Sequence, residues 1–168
     1  PATVELSGAK HLVGKTMEDG EFNFVINAVT SGAPMPTNSV VSNDKYGVFD
    51  FGTITFNTAG TYVYTVTEQN GGDARFDYDE SAYTVTVVVT DNSEGKLSAA
   101  VSMLKNGTES NEIVFVNSFT PTPYIYDIDD AAVNFTLGKE LSGRPLEEGE
   151  FEFVLINAIS GQQIGEAV

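Results

Sequence analysis

Three polar side chains stand on strand faces that are otherwise apolar. In VELSGAKHL (4–12), Lys10 shares its parity with Val4, Leu6 and Leu12, while Glu5, Ser7 and His11 take the other face. In TYVYTVTE (61–68), Glu68 lies with Tyr62, Tyr64 and Val66; in EIVFVNSF (112–119), Asn117 lies with Ile113, Phe115 and Phe119. All three are expected to point inward. An unpaired buried charge costs several kcal/mol, so the three either satisfy one another or sit at strand ends and reach solvent. Two chemistries are open to such a cluster. The first is a buried Lys10–Glu68 salt bridge with Asn117 as hydrogen-bond partner. The second follows from burial itself, which lowers the pKa of an amine and raises that of a carboxyl group. A neutral Lys10 amine can attack the Asn117 carboxamide while protonated Glu68 polarises the carbonyl and passes its proton to the departing ammonia. The product is an amide between Lys10 Nζ and Asn117 Cγ, formed once.

The elements that must position these groups are strands. Thr, Val, Tyr and Phe alternate with polar residues, and Gly, Asn, Asp and Pro clusters punctuate the alternation. Besides the three runs above, EFNFVINAV (21–29), GVFDFGTITF (47–56), AYTVTVVVTD (82–91) and LSAAVSML (97–104) read as strands. Seven short strands predict an all-β, immunoglobulin-like two-sheet sandwich. A turn is expected over Thr16–Gly20. The stretch Thr30–Asp44, with Pro34 and Pro36, is expected to be an irregular connection and is the candidate ligand-binding loop.

Composition removes several classes of function. The chain has 168 residues, 24 acidic and 8 basic, for a formal net charge of -16. That field repels phosphate, which excludes nucleic acid and anionic membrane surfaces as partners. No cysteine is present, so disulfides and thiolate chemistry are absent, and His11 is the one histidine. It is expected on the surface. No apolar run reaches the roughly 20 residues of a membrane helix. The opening PATVEL is not a signal peptide, which places export and anchoring signals in sequence outside this chain. The acidic groups Asp77, Asp79 and Glu80, and Asp127, Asp129 and Asp130, read as solvated loop charge rather than calcium sites. The sequons at Asn106 and Asn134 are weak signals. No metal, cofactor or turnover enzyme is expected.

Self-comparison shows a repeat: KHLVGKTMEDGEFNFVINA (10–28) recurs as KELSGRPLEEGEFEFVLINA (139–158). Lys139 matches Lys10, and Phe151 and Phe153 match Phe22 and Phe24. The expected organisation is a complete domain over 1–118, a Pro- and Asp-containing linker over 119–130, and the first strands of a second, incomplete copy over 131–168. Two strands cannot bury an apolar face alone. The face carrying Phe135, Leu137, Leu141, Phe151 and Phe153 is therefore either frayed or completed by strand exchange or edge pairing with a neighbouring chain.

The order of these motifs carries a resemblance. Lys10 in GAKHLVGK followed by EDGEFNF, then GTYVYTVTE ending at Glu68, then FVNSF containing Asn117, resembles the pilin isopeptide-linkage domains of Gram-positive surface proteins, the repeats of the streptococcal major pilin type. The resemblance covers 1–118 and restarts near 131. It implies a Lys10–Asn117 isopeptide bond with Glu68 as catalyst, in a cell-wall-anchored pilus or adhesin stalk whose partners are neighbouring repeats or pilin subunits. Lys139 matches Lys10, but its own glutamate and asparagine are not in this chain, so unless another chain supplies them Lys139 is expected to be unreacted. The rival function is an adhesin domain that binds a host protein or glycan through its loops.

Overall fold

The computed structural model describes residues 1–122 and 136–168. The expected linker beyond Thr122, the acidic group Asp127, Asp129 and Asp130, and Asn134 and Phe135 lie outside the described residues. The chain divides into two compact units, Pro1–Pro123 and Tyr124–Val168.

The first unit is a sandwich of two sheets, with no helix among the described residues. Its strands are β1 (Ala2–Val13), β2 (Asn23–Ala28), β3 (Val40–Ser42), β4 (Val48–Phe56), β5 (Gly60–Glu68), β6 (Phe76–Asp77), β7 (Ala82–Asp91), β8 (Leu97–Lys105), β9 (Thr108–Ser110) and β10 (Val114–Phe119). One sheet runs β4-β1-β10-β6 and the other β3-β2-β5-β7-β8-β9. The seven expected strands all form. Three short ones, β3, β6 and β9, are additional; each adds an edge to a sheet the longer strands have already built. The stretch Thr30–Asp44 is accordingly not irregular throughout. It contains β3, and it buries Ala33, Pro36 and Asn43.

The first and last strands of the unit, β1 and β10, are neighbours and run parallel, Lys10 opposite Phe115 and Leu12 opposite Asn117. On the other side of β1, the antiparallel β4 carries a bulge where the register shifts between Leu6 and Ser7. The bulge changes which parity of β4 faces inward, from Phe49 and Phe51 to Ile54 and Phe56. An aromatic core fills the space between the sheets. The Phe24 and Phe49 rings stack with centroids 3.8 Å apart, and Phe115 packs on Phe24, Phe49 and Tyr83. Tyr83 also ties the sheets by polar contact: its hydroxyl donates to the Val114 carbonyl at 2.8 Å and accepts from the Val114 N–H at 2.9 Å.

The second unit holds a short hairpin of β11 (Leu155–Ile156) and β12 (Gln163–Ile164). Its Leu137, Phe151, Leu155 and Ile164 side chains are exposed.

Gly47 holds the strand that carries Lys10. Its carbonyl accepts the Lys10 N–H at 2.7 Å, its φ is +89°, and a Cβ there would run into the Lys10 carbonyl oxygen. Gly47→Ala is expected to lower stability by about 1–3 kcal/mol through this strained backbone position, read as a drop in the urea midpoint at unchanged m-value.

Candidate functional site

Lys10, Glu68 and Asn117 meet at the seam of the sandwich. Lys10 and Asn117 come from β1 and β10 of one sheet; Glu68 comes from the last position of β5 in the other, opposite Phe24 of β2. Strand alternation aims all three inward, and water is excluded: Lys10 is 1% exposed and Asn117 0%. The Glu68 side chain is 1% exposed. One carboxylate serves both partners. Lys10 Nζ donates to Glu68 Oε2 at 2.6 Å, and Asn117 Nδ2 donates to Glu68 Oε1 at 2.5 Å. The Phe22 ring, with Lys10 Nζ 4.6 Å from its centroid, closes one side of the pair. Phe22 is itself packed edge-on against Phe76 and Tyr78.

The orientation of the carboxamide differs from the expectation that Glu68 addresses its carbonyl. Asn117 Oδ1 accepts the backbone N–H of Asp79 at 2.7 Å. A backbone N–H can only donate, so it fixes the amide with its oxygen outward and its nitrogen on Glu68. Glu68 therefore touches the two nitrogens of the cluster. Asp79 does not behave as solvated loop charge. It sits beside β10, bonded to its backbone at Val116; no side-chain periodicity announces a backbone donor.

Burial dominates the titration of the pair. It drives the Lys10 amine below its ordinary 10.5, against the opposing pull of its hydrogen bond to Glu68. The same burial drives the Glu68 carboxyl above its ordinary 4.5, against the hydrogen bonds from Lys10 and Asn117. Both shifts favour the neutral amine and the neutral acid. The cluster can thus move a proton along a 2.6 Å contact and present an amine beside a primary amide.

Asn43, which sequence reasoning did not single out, supports the Phe22 side of the site. It is buried, its Oδ1 accepts the Phe22 N–H at 2.7 Å, and its Nδ2 donates to the carbonyls of Glu18 and Asp44. That ties the residues before β2 to those before β4 and holds Phe22 over the lysine. His11 is exposed, and no cluster of three or more acidic or histidine side chains able to hold a metal occurs among the described residues. Lys139 is exposed in the second unit, with its Nζ 4.8 Å from the Phe151 ring centroid, which parallels Lys10 and Phe22. The turn between them repeats as well: φ is +98° at both Gly14 and Gly143, and +75° at both Gly20 and Gly149.

A family model, FctA, a Spy0128-like isopeptide containing domain, matches residues 6–120. No curated protein matches the chain. Among solved structures, the major pilin protein T-13 of Streptococcus pyogenes is 26% identical, over 71% of this chain and 55% of that one, with a TM-score of 0.54. The T3.2 major pilin protein of the same species is 18% identical, over 71% and 55%, with a TM-score of 0.50. A mutant of the S. pyogenes major pilin is 23% identical, over 70% and 50%, also at 0.50. The chain spans about half the length of these pilins. At such low identity the latter two show likeness of fold.

Removing one member of a buried ion pair strands the other. In an Asn117→Ala background, where this residue can form no link to Lys10, Glu68→Ala is expected to cost a further 3–5 kcal/mol or so at neutral pH. Chemical denaturation of the single and double variants checks this.

Proposed function

The chain belongs to the FctA family of Spy0128-like isopeptide containing domains, and from that premise we propose that it is a structural shaft domain of a Gram-positive surface pilus, locked by a Lys10–Asn117 isopeptide bond that Glu68 catalyses. The observation that carries this reading is the placement of one buried carboxylate against both the lysine nitrogen and the amide nitrogen. Those are the two atoms between which protons must move.

One proton passes from the Lys10 ammonium to Glu68, leaving an amine and an acid. The amine attacks Asn117 Cγ; the Nζ–Cγ bond forms and Oδ1 takes the electron pair. Glu68 gives its proton to Nδ2 and takes one from Nζ. The Cγ–Nδ2 bond then breaks, the electron pair on Oδ1 restores the carbonyl, and ammonia leaves. Protons balance with Glu68 as the acid, or with Glu68 ionised and ammonium released. The reaction runs once on its own chain, so the domain is not a turnover enzyme.

The bond would join the first and last strands of the sandwich. Tension applied through Pro1 and Phe119 would then pass from β1 through the new amide into β10, and the intervening strands would lie outside the loaded path. By the loop-closure model used for disulfides, such a link over this length also stabilises by about 5 kcal/mol. It needs no oxidising compartment, which suits a cysteine-free surface protein.

In this reading residues 1–118 are the complete domain, 119–130 the linker, and 131–168 the opening of a second copy with Lys139 in the place of Lys10. The parallel between the Lys10–Phe22 and Lys139–Phe151 contacts supports this assignment. Neighbouring pilin subunits are the expected partners and the cell surface the expected location.

Intact mass of the denatured 168-residue chain tests the bond. The parent is expected to be lighter than its sequence by one ammonia, with the deficit gone in Glu68→Ala; a parent at full mass refutes the proposal. In the same denatured chain an amine-acylating reagent is expected to modify Lys139 and leave Lys10 untouched. A Lys10 that acylates refutes the crosslink, and a protected Lys139 refutes the assignment of 131–168.

The rate of ammonia loss, followed on unreacted chain assembled in denaturant and then folded by dilution, is expected to follow a bell in pH. The reactive pair holds one shared proton, so the rate falls when the pair gains a second proton and when it loses the last. Because the Glu68 value is raised and the Lys10 value lowered, the acid limb lies above 4.5 and the alkaline limb below 10.5. Stopped time courses read by mass across this range check both limbs.

A further inference from the structure

Glu68 accounts for the protons of the reaction but not for the charge on oxygen. When Lys10 attacks, negative charge develops on Asn117 Oδ1, and Glu68 faces the opposite end of the amide. The group that faces Oδ1 is the backbone N–H of Asp79, at 2.7 Å. The surroundings are dry, with Asn117 0% exposed, so a fixed donor here counts for far more than it would in water.

That donor is held in place by its own side chain. Asp79 Oδ2 accepts the Val116 N–H at 2.9 Å, one residue before the asparagine, and Asp79 Oδ1 accepts the Ser81 N–H at 2.9 Å. Residue 79 thus grips β10 at two successive positions, by its carboxylate at Val116 and by its N–H at Asn117. The antiparallel pairing of Asp77 with Ser118 and of Phe76 with Phe119 sets the approach. Lys105 Nζ lies 3.6 Å from Asp79 Oδ2 and donates to the Val114 carbonyl at 3.0 Å, which anchors the carboxylate from the far side. Burial opposes ionisation of Asp79, but the hydrogen bonds from Ser81 and Val116 outweigh it and hold the carboxyl below its ordinary range.

We propose that the Asp79 backbone N–H is the oxyanion donor of the crosslinking reaction, and that the Asp79 carboxylate is the positioning group that aims it. The N–H polarises the Asn117 carbonyl in the ground state and binds Oδ1 while the Nζ–Cγ bond forms and before the Cγ–Nδ2 bond breaks. This rests on the crosslinking reading above and adds to it a division of labour: Glu68 serves the two nitrogens and Asp79 serves the oxygen.

The direct test replaces the Asp79 amide by an ester. The full 168-residue chain, assembled in denaturant with the α-hydroxy acid analogue of aspartate at position 79, keeps the side chain and loses only the N–H. Parent and analogue, assembled identically, are folded by dilution and their ammonia loss is followed by intact mass, with near-ultraviolet circular dichroism confirming the native aromatic core. The analogue is expected to react about 100- to 1,000-fold more slowly, the loss typical of one oxyanion donor. A folded analogue reacting within threefold of the parent overturns the proposal. A parent that loses no ammonia instead overturns the crosslinking reading, and this one with it.

Asp79→Ala and Asp79→Asn give a second reading that does not depend on the ester folding. Alanine keeps the N–H but releases the grip on Val116 and Ser81; asparagine keeps an oxygen for one of those donors. Slowing in Asp79→Ala with recovery in Asp79→Asn, at matched stability set by urea, supports the positioning role. Equal rates in both, at the parent value, overturn it.

Discussion

A lysine, a glutamate and an asparagine can share the space between two apolar sheets only if each satisfies the others, and most of this sandwich is arranged around that requirement. The 2.6 Å contact between Lys10 and Glu68 crosses from one sheet to the other. It carries electrostatic attraction that must offset the desolvation of both groups. The offset is poor for a charged pair and better for a neutral one, which is why burial moves the amine down and the acid up. The site is therefore poised by the same force that makes it costly. Asn117 completes the hydrogen bonding, and no buried side-chain nitrogen or oxygen is left without a partner among the described residues.

The surrounding architecture serves this contact in identifiable ways. Parallel pairing of β1 and β10 brings residues far apart in sequence onto one sheet face, two strand positions out of step, so that Lys10 and Asn117 stand diagonally rather than across. Phe22 shields the amine, Asn43 holds Phe22 by its backbone, and Tyr83 locks the strand before Asn117 to the opposite sheet. The stacked Phe24 and Phe49 rings sit beneath, with Phe24 directly opposite Glu68 in the ladder. Hydrophobic packing supplies the stability that holds the polar cluster in place.

The fold class and the three central residues were legible in the sequence because strand alternation converts position into direction. Val4, Leu6 and Leu12 mark the inner face of β1, and Lys10 falls on it; the same holds for Glu68 beside Tyr64 and Val66, and for Asn117 beside Phe115. Alternation is blind where pairing rather than side-chain character makes the strand. β3, β6 and β9 are two or three residues long and are strands only because a longer neighbour supplies hydrogen bonds. The bulge in β4 leaves a trace, a Gly after Phe51 and a change of inward parity, that is readable once looked for. Asp79 leaves none. Its contribution to the site is a main-chain N–H, and every residue but proline has one. The orientation of the Asn117 amide was hidden for the same reason.

In a shaft built from such domains, topology would matter as much as the proposed bond. With the terminal strands adjacent and parallel, a single amide between them would take the load from the core, whichever hydrogen bonds lie between. The central claim is that this amide joins Lys10 to Asn117, and digestion of the denatured protein followed by tandem mass spectrometry tests it most directly. The account predicts one branched peptide containing both the Lys10 and the Asn117 segments, lighter by one ammonia than their sum, with no cleavage by trypsin after Lys10. Two separate linear peptides, with trypsin cutting after Lys10 and an intact Asn117 carboxamide, would contradict it.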